Sequence, residues 1–115
     1  MDNEKIARIV HQTNKIYCES LGDNSQKNWE DLSDEMKASV ISGVEVRRQH
    51  PMISAAQMHN HWLDYKVKTG WVFGTEKDET KKTHPNIKPY HQLPAEQRAK
   101  DGLFLAVVSS LLKDY

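Results

Sequence analysis

Apolar residues recur along this chain with a helical period in four places. Between residues 4 and 21, Ile6, Ile9, Val10, Thr13, Ile16, Tyr17 and Leu21 follow steps of three and four, which predicts one apolar stripe on a helix that stops at Gly22. Residues 22 to 28 are polar and read as a loop. Trp29 to Ser33 then leads into a second helix over about residues 34–49, with Ser33 as N-cap and Asp34 and Glu35 at the positive end of the helix dipole. Met36, Val40 and Val44 form its inner face, and Pro51 prevents continuation. Ser54 and Gln57 have the spacing of a capping box. The helix they open places Ala55, His59, Trp62 and Lys66 on one stripe, with Met58 and Tyr65 beside it, and Gly70 stands where a left-handed C′ residue is expected. The last helix starts near Pro94 and carries Leu103, Phe104, Val107, Val108, Leu111 and Leu112, the most apolar face in the chain. The expected fold is mostly α: about four helices packed on the C-terminal helix, with Phe104, Val107, Val108 and Leu111 almost fully buried. A long ordered loop, with room for a short β-ribbon, follows the third helix.

That loop is the least regular part of the pattern. Trp71-Val72-Phe73-Gly74 brings two aromatics out of the glycine turn, Glu76 to Thr83 is almost continuously polar or charged, and His84-Pro85 biases the chain to an extended conformation. A polar loop running from Gly70 to Gln92 is long for a compact domain, which points to a function or a strong packing anchor. Phe73, His84 and Tyr90 are the expected anchors. Trp62, on a helical stripe, reads first as core, and His59 as a packed, hydrogen-bonded histidine at a helix–loop junction. Trp71, directly after a C-capping glycine, is expected half exposed, where an indole can serve as a stacking platform. Lys77, Lys81 and Lys82 read first as solvated surface, nearly cancelled by Glu76, Asp78 and Glu79. A single phosphate nevertheless needs only one or two placed cations. The candidate ligand-binding residues are therefore Trp62, Trp71, Lys77, Lys82 and His84.

Composition narrows the classes. The chain has 115 residues, enough for one domain spanning 1–115. Its 16 basic and 16 acidic residues balance, so no global field favours nucleic acid or an anionic membrane. No apolar run approaches the roughly 18 residues of a membrane span, and the charged N-terminus MDNEKIARIV is no signal peptide. A single cysteine, Cys18, fits a reducing cytoplasm and reads as a small hydrophobe at the edge of its stripe. His59 and His61 diverge by about 200° on a helix, too far to share a metal ion, and the acidic loop residues lack the alternation and central glycine of a calcium loop. No phosphate-binding glycine loop, nucleophile elbow or paired-carboxylate pattern is present, so neither catalysis nor a cofactor is expected. One internal echo stands out: Trp29-x-x-Leu32-Ser33-x-Glu35 against Tyr90-x-x-Leu93-Pro94-x-Glu96. It reads as a shared way of docking a helix entry, with a pair of half-sites as the sharper alternative.

The segment from His59 to Pro85 resembles the ryanodine receptor repeat (RyR) domain. The pattern is carried in order by His59, Trp62, Lys66, Gly70, Trp71, Phe73, Gly74, Lys77, Asp78, Glu79, Lys81, Lys82, His84 and Pro85, and continues in Tyr90, Leu93, Pro94 and Glu96. The strongest resemblance covers about residues 54 to 101. It implies a non-catalytic cytoplasmic binding module, of the kind found alone in bacteria and phages, that recognises a nucleotide or nucleotide-derived molecule, with Trp71 against the base and lysines near phosphate. The alternative it implies is an interaction domain acting as a homodimer or on a partner protein. One departure concerns position 101: animal repeats tend to carry an amide there, whereas this chain has Lys100-Asp101, and a carboxylate beside an anionic ligand would repel it.

Overall fold

A computed structural model describes residues 1–112. Four helices account for most of it: α1 (Asn3–Ser20), α2 (Asp34–Gln49), α3 (Ala55–Lys68) and α4 (Ala95–Leu112). Single 3-10 turns at Trp29–Asp31 and Tyr90–Gln92 precede α2 and α4, and two short strands, β1 (Val72–Phe73) and β2 (Thr83–His84), lie between α3 and the second turn. The fold is thus mostly α, as the periodicity predicts. The helix starts also follow the sequence. Ser33 accepts from the Met36 amide, and Ser54 and Gln57 form the reciprocal capping box, each side chain bonded to the other's backbone amide at 2.9–3.1 Å. Among the described residues no helix is long and apolar enough to cross a membrane.

The chain packs as two compact units, Met1–Met52 with the chain from Gly102, and Ile53–Asp101. In the first unit the core is Ile6, Ala7 and Val10 of α1, Trp29 and Leu32 of the first turn, Val44 of α2 and Val108 of α4. The buried stripe of α1 is rotated from the one expected: Ile9, Ile16 and Leu21 are exposed, while Ala7, His11 and Cys18 are buried. His11 can lie inside because its Nε2 donates to the Lys27 carbonyl at 2.6 Å, with the ring edge-on to Trp29. Of the four α4 residues expected to be almost fully buried, only Val108 is. Phe104, Val107 and Leu111 are half-buried against the same cluster. At about 100° per residue the apolar run from Leu103 to Val108 encircles the helix, and one core can cover only one side of it.

The sequence echo extends much further in three dimensions. His59 on α3 repeats the role of His11, its Nε2 donating to the Lys88 carbonyl at 2.7 Å with the ring against Tyr90. Each of these lysines stands two residues before the aromatic that opens a 3-10 turn. Each turn closes with a leucine amide bonded to that aromatic's carbonyl, Leu32 to Trp29 and Leu93 to Tyr90, and both leucines are buried. Both first helices end alike as well. Gly22 and Gly70 have φ of 87° and 95°, and the residues that follow, Asp23 and Trp71, donate to the carbonyls of Cys18 and Lys66, each at 2.9 Å. The two segments thus share a histidine bond, a glycine stop and a turn closure, and the β1–β2 ribbon lies in the second.

Trp29 is the largest side chain in the first unit's buried cluster, so Trp29→Ala should cost about 3–5 kcal/mol, and Phe104→Ala distinctly less. Urea denaturation of both variants checks this, and a greater loss for Phe104→Ala would refute the packing described.

Candidate functional site

The second unit builds its interior from polar and aromatic side chains. Ala55, His59, Trp62 and Lys66 lie on one stripe of α3, and its inward turn has an unusual consequence: Lys66 is 1% exposed and is the largest fully buried side chain among the described residues. A buried ammonium demands compensation. Its Nζ lies 4.7 Å from the Trp71 ring centroid and 6.0 Å from that of Trp62, within range of two aromatic faces.

Trp71 is placed by the end of α3. Gly70 adopts the left-handed conformation, and the Trp71 amide returns to the Lys66 carbonyl. The indole is thereby folded under the helix and is only 4% exposed. The half-exposed platform expected here is not found, because the turn that frees the chain also directs this ring onto the Lys66 ammonium. Lys82 completes the helix end, donating from Nζ to the Thr69 carbonyl at 2.6 Å, where a cation also complements the negative end of the helix dipole.

The loop is held by its own backbone. β1 and β2 pair in parallel, Val72 with Thr83 and Phe73 with His84. So short a parallel connection needs a double reversal, supplied by an Asp78 turn and by Lys82, whose φ is 55°. Asp78 exchanges two 3.0 Å backbone bonds with Thr83, and its carboxylate accepts from the Thr80 and Lys81 amides. Gly74 passes so close to Thr83 that a Cβ there would lie 2.6 Å from the threonine Cβ. Phe73, one of the expected anchors, is instead 55% exposed, as is Val72 at 57%. The ribbon is fixed by backbone pairing and by Trp71, which removes the need for Phe73 to pack.

His84 sits at the centre of the aromatic group. Its ring is edge-on to Trp62 at 5.1 Å and tilted to Trp71 at 6.3 Å. Nδ1 accepts from the Asn86 amide at 3.0 Å, which leaves the proton on Nε2. Burial, reinforced by Lys77, Lys100, Lys66 and His59, pushes the imidazole down to about 3, so it is neutral at physiological pH. His59 stacks on Trp62 with centroids 5.5 Å apart, and its Nδ1 lies 3.8 Å from Asp101 Oδ2. Burial pushes the Asp101 carboxyl up to about 7, against the pull of Lys100.

Of the five candidate residues, Trp62, Trp71 and His84 come together directly. Lys77 bears on them electrostatically, and Lys82 lies at the helix end. Three residues outside that candidate set join the group: His59, Lys66 and Asp101. The signal of His59 and Lys66 was present in their shared stripe with Trp62, where His59 read as packing, and Asp101 had stood out only as a carboxylate that would repel an anionic ligand.

The two shifted groups act on stability with opposite sign. His84 has a folded pKa below the ordinary 6.5, so its contribution is present above that pH and lost as pH falls toward about 3. Asp101 has a folded pKa above the ordinary 3.8, so its contribution is present below that pH and lost as pH rises through about 7. Between roughly pH 4 and 6.5 the two effects oppose one another. Melting temperatures across this window should rise with pH for Asp101→Asn and fall for His84→Gln, relative to the wild-type curve. The same slope in both variants would refute the assignment. Gly74→Ala should separately destabilise the ribbon by about 1–3 kcal/mol through the Thr83 clash, read as a lower melting temperature.

A sequence profile described as the RyR domain matches residues 41–105, more than half of the chain. The match contains all of α3, the β1–β2 segment, the Tyr90 turn and every residue of the aromatic group. The order of motifs, the fold and this match agree, and the chain belongs to the RyR domain family.

Proposed function

We propose that this protein is a non-catalytic binding module for a flat, anionic, nucleotide-like small molecule, received on the side of the aromatic group formed by Trp62 and His84, with Lys77 toward the ligand's anionic part. The observation that carries this reading is the composition of the group. Two indoles and a neutral imidazole surround a buried ammonium, and Lys77 and Lys100 reinforce the positive field felt at His84. A neutral imidazole beside an indole offers stacking surface, and ammonium groups nearby favour phosphate. Trp62 is half-buried and Trp71 buried, so Trp62 is the more accessible of the two indoles. The group lacks a paired nucleophile and base, and its most perturbed titrating groups, His84 and Asp101, are shifted chiefly by burial.

Trp62→Ala should weaken binding by about ten- to a hundredfold, the range that loss of one base–aromatic stack gives, with Lys77→Ala weakening it less. Titration with ATP, ADP, ADP-ribose and cyclic nucleotides at millimolar concentration, followed by heat and tryptophan quenching, is the measurement. A second reading, an interaction domain that pairs with itself or a partner protein, is favoured by the exposed Val67, Val72 and Phe73 in the second unit. No response to any of these ligands, together with a mass that rises with protein concentration, would replace the first reading by the second.

A further inference from the structure

The two helix–turn–helix segments offer an internal control on what each buried group is for. In the first, His11 donates to the Lys27 carbonyl and packs on Trp29. In the second, His59 donates to the Lys88 carbonyl and packs on Tyr90. The helix that follows differs at one telling position: eight residues beyond the matching leucines Leu32 and Leu93 stand Val40 and Asp101. The histidine staple is therefore made with an apolar residue at that position in one segment and a carboxyl in the other. Asp101 is not needed to build the staple, yet its Oδ2 lies 3.8 Å from His59 Nδ1 and the side chain is largely withdrawn from solvent.

We propose that Asp101 is a proton-dependent positioning residue for Trp62, acting through His59. The inference rests on the reading above only in so far as Trp62 is the ligand-bearing indole. Because Nε2–H of His59 is committed to the Lys88 carbonyl, the proton between Nδ1 and Asp101 decides the character of their contact. With that proton on Asp101, the carboxyl faces the Nδ1 lone pair as a donor and the contact attracts. When it leaves, a carboxylate faces a lone pair and the contact repels. The His59 ring is the surface on which Trp62 stacks, so the repulsion is passed to the indole. The titratable and charged neighbours are Lys100 beside Asp101 on α4, His59 on α3, and His84 on β2 with Lys66, Lys77 and Lys100 bearing on it. His84 stays neutral throughout the neutral range, which leaves Asp101 to respond there. Loss of the proton also adds a negative charge near the site, so both effects weaken anion binding as pH rises through about 7.

The test reads the protein first without ligand. The Trp62 indole N–H resonance, assigned with Trp62→Phe, should shift between pH 5.5 and 8.5 with a midpoint near 7 in the wild type. The step should vanish in Asp101→Asn, and also in His59→Gln, whose amide can still donate to the Lys88 carbonyl. In parallel, affinity for ADP-ribose, whose own charge is constant over this range, should fall about tenfold from pH 6 to 8 in the wild type, the scale of one unit charge at about 10 Å and an effective dielectric near 20. It should stay level in Asp101→Asn. A flat wild-type resonance, or the same step surviving in Asp101→Asn, overturns the proposal. A titrating resonance without any ADP-ribose binding leaves the positioning role supported and removes the ligand reading instead.

Discussion

A histidine side chain donating into a backbone carbonyl is the interaction on which this fold depends. An imidazole on α1 or α3 reaches the residue just ahead of a 3-10 turn and ties one helix to the entry of the next. The carbonyls of Lys27 and Lys88 lie in segments with no helix or sheet partner of their own, and each takes its donor from the imidazole. Supplying that donor from a neighbouring helix ties the helix to the turn that follows. The aromatic two residues on falls against the same imidazole, the leucine after it closes the turn, and the next helix begins in a set direction. In both segments this one bond converts a polar connection into a rigid corner.

The second segment adds charge to that frame, and the way it accommodates charge explains its shape. Lys66 is brought indoors by its place on α3, and the turn at Gly70 returns Trp71 beneath it. Lys82 takes a left-handed backbone and sets its ammonium on the Thr69 carbonyl. His84, ringed by cations and buried, gives up its proton, and Asp101, buried beside His59, tends to keep one. Each group takes the protonation state or partner that lowers the desolvation cost at its position.

Much of this was legible in the sequence, and what was not has identifiable causes. Ser33, Ser54 with Gln57, and Gly70 act through local hydrogen bonds and dihedral angles, so their roles survive without tertiary knowledge. The α3 stripe was legible as a helical period, though the burial of Lys66 on it was not. Nor was the rotation of α1, because a search for large apolar residues passes over small ones such as Ala7 and over His11, whose burial depends on a carbonyl supplied from the following loop. Phe73 and Trp71 exchanged expected roles. Which of these two aromatics, two residues apart, faces inward depends on the Gly70 turn and on the strand pairing of Val72 and Phe73 with Thr83 and His84, and parallel pairing over so short a connection leaves no simple periodic mark. The gathering of His59, Lys66 and Asp101 about Trp62 is likewise a product of tertiary structure.

Comparison of the two segments separates what the fold requires from what has been added to it. Cys18 and Lys66 occupy the same place at a helix end, both fully buried and both accepting the same backbone bond from the residue after a left-handed glycine. A small neutral side chain thus satisfies the architecture, and nothing in the helix end calls for an ammonium. Asn14 stands where the second segment has Trp62, and Asp23 where it has Trp71, so the first segment cannot form a second aromatic group of this kind. The half-site reading of the sequence echo therefore does not extend to the chemistry. A buried cation, two indoles and a titrating carboxyl each carry a desolvation or packing cost that the first segment avoids with the same staple and the same turn. Their concentration in one segment, beside a ribbon that the other lacks, is the contrast on which the proposed binding role rests.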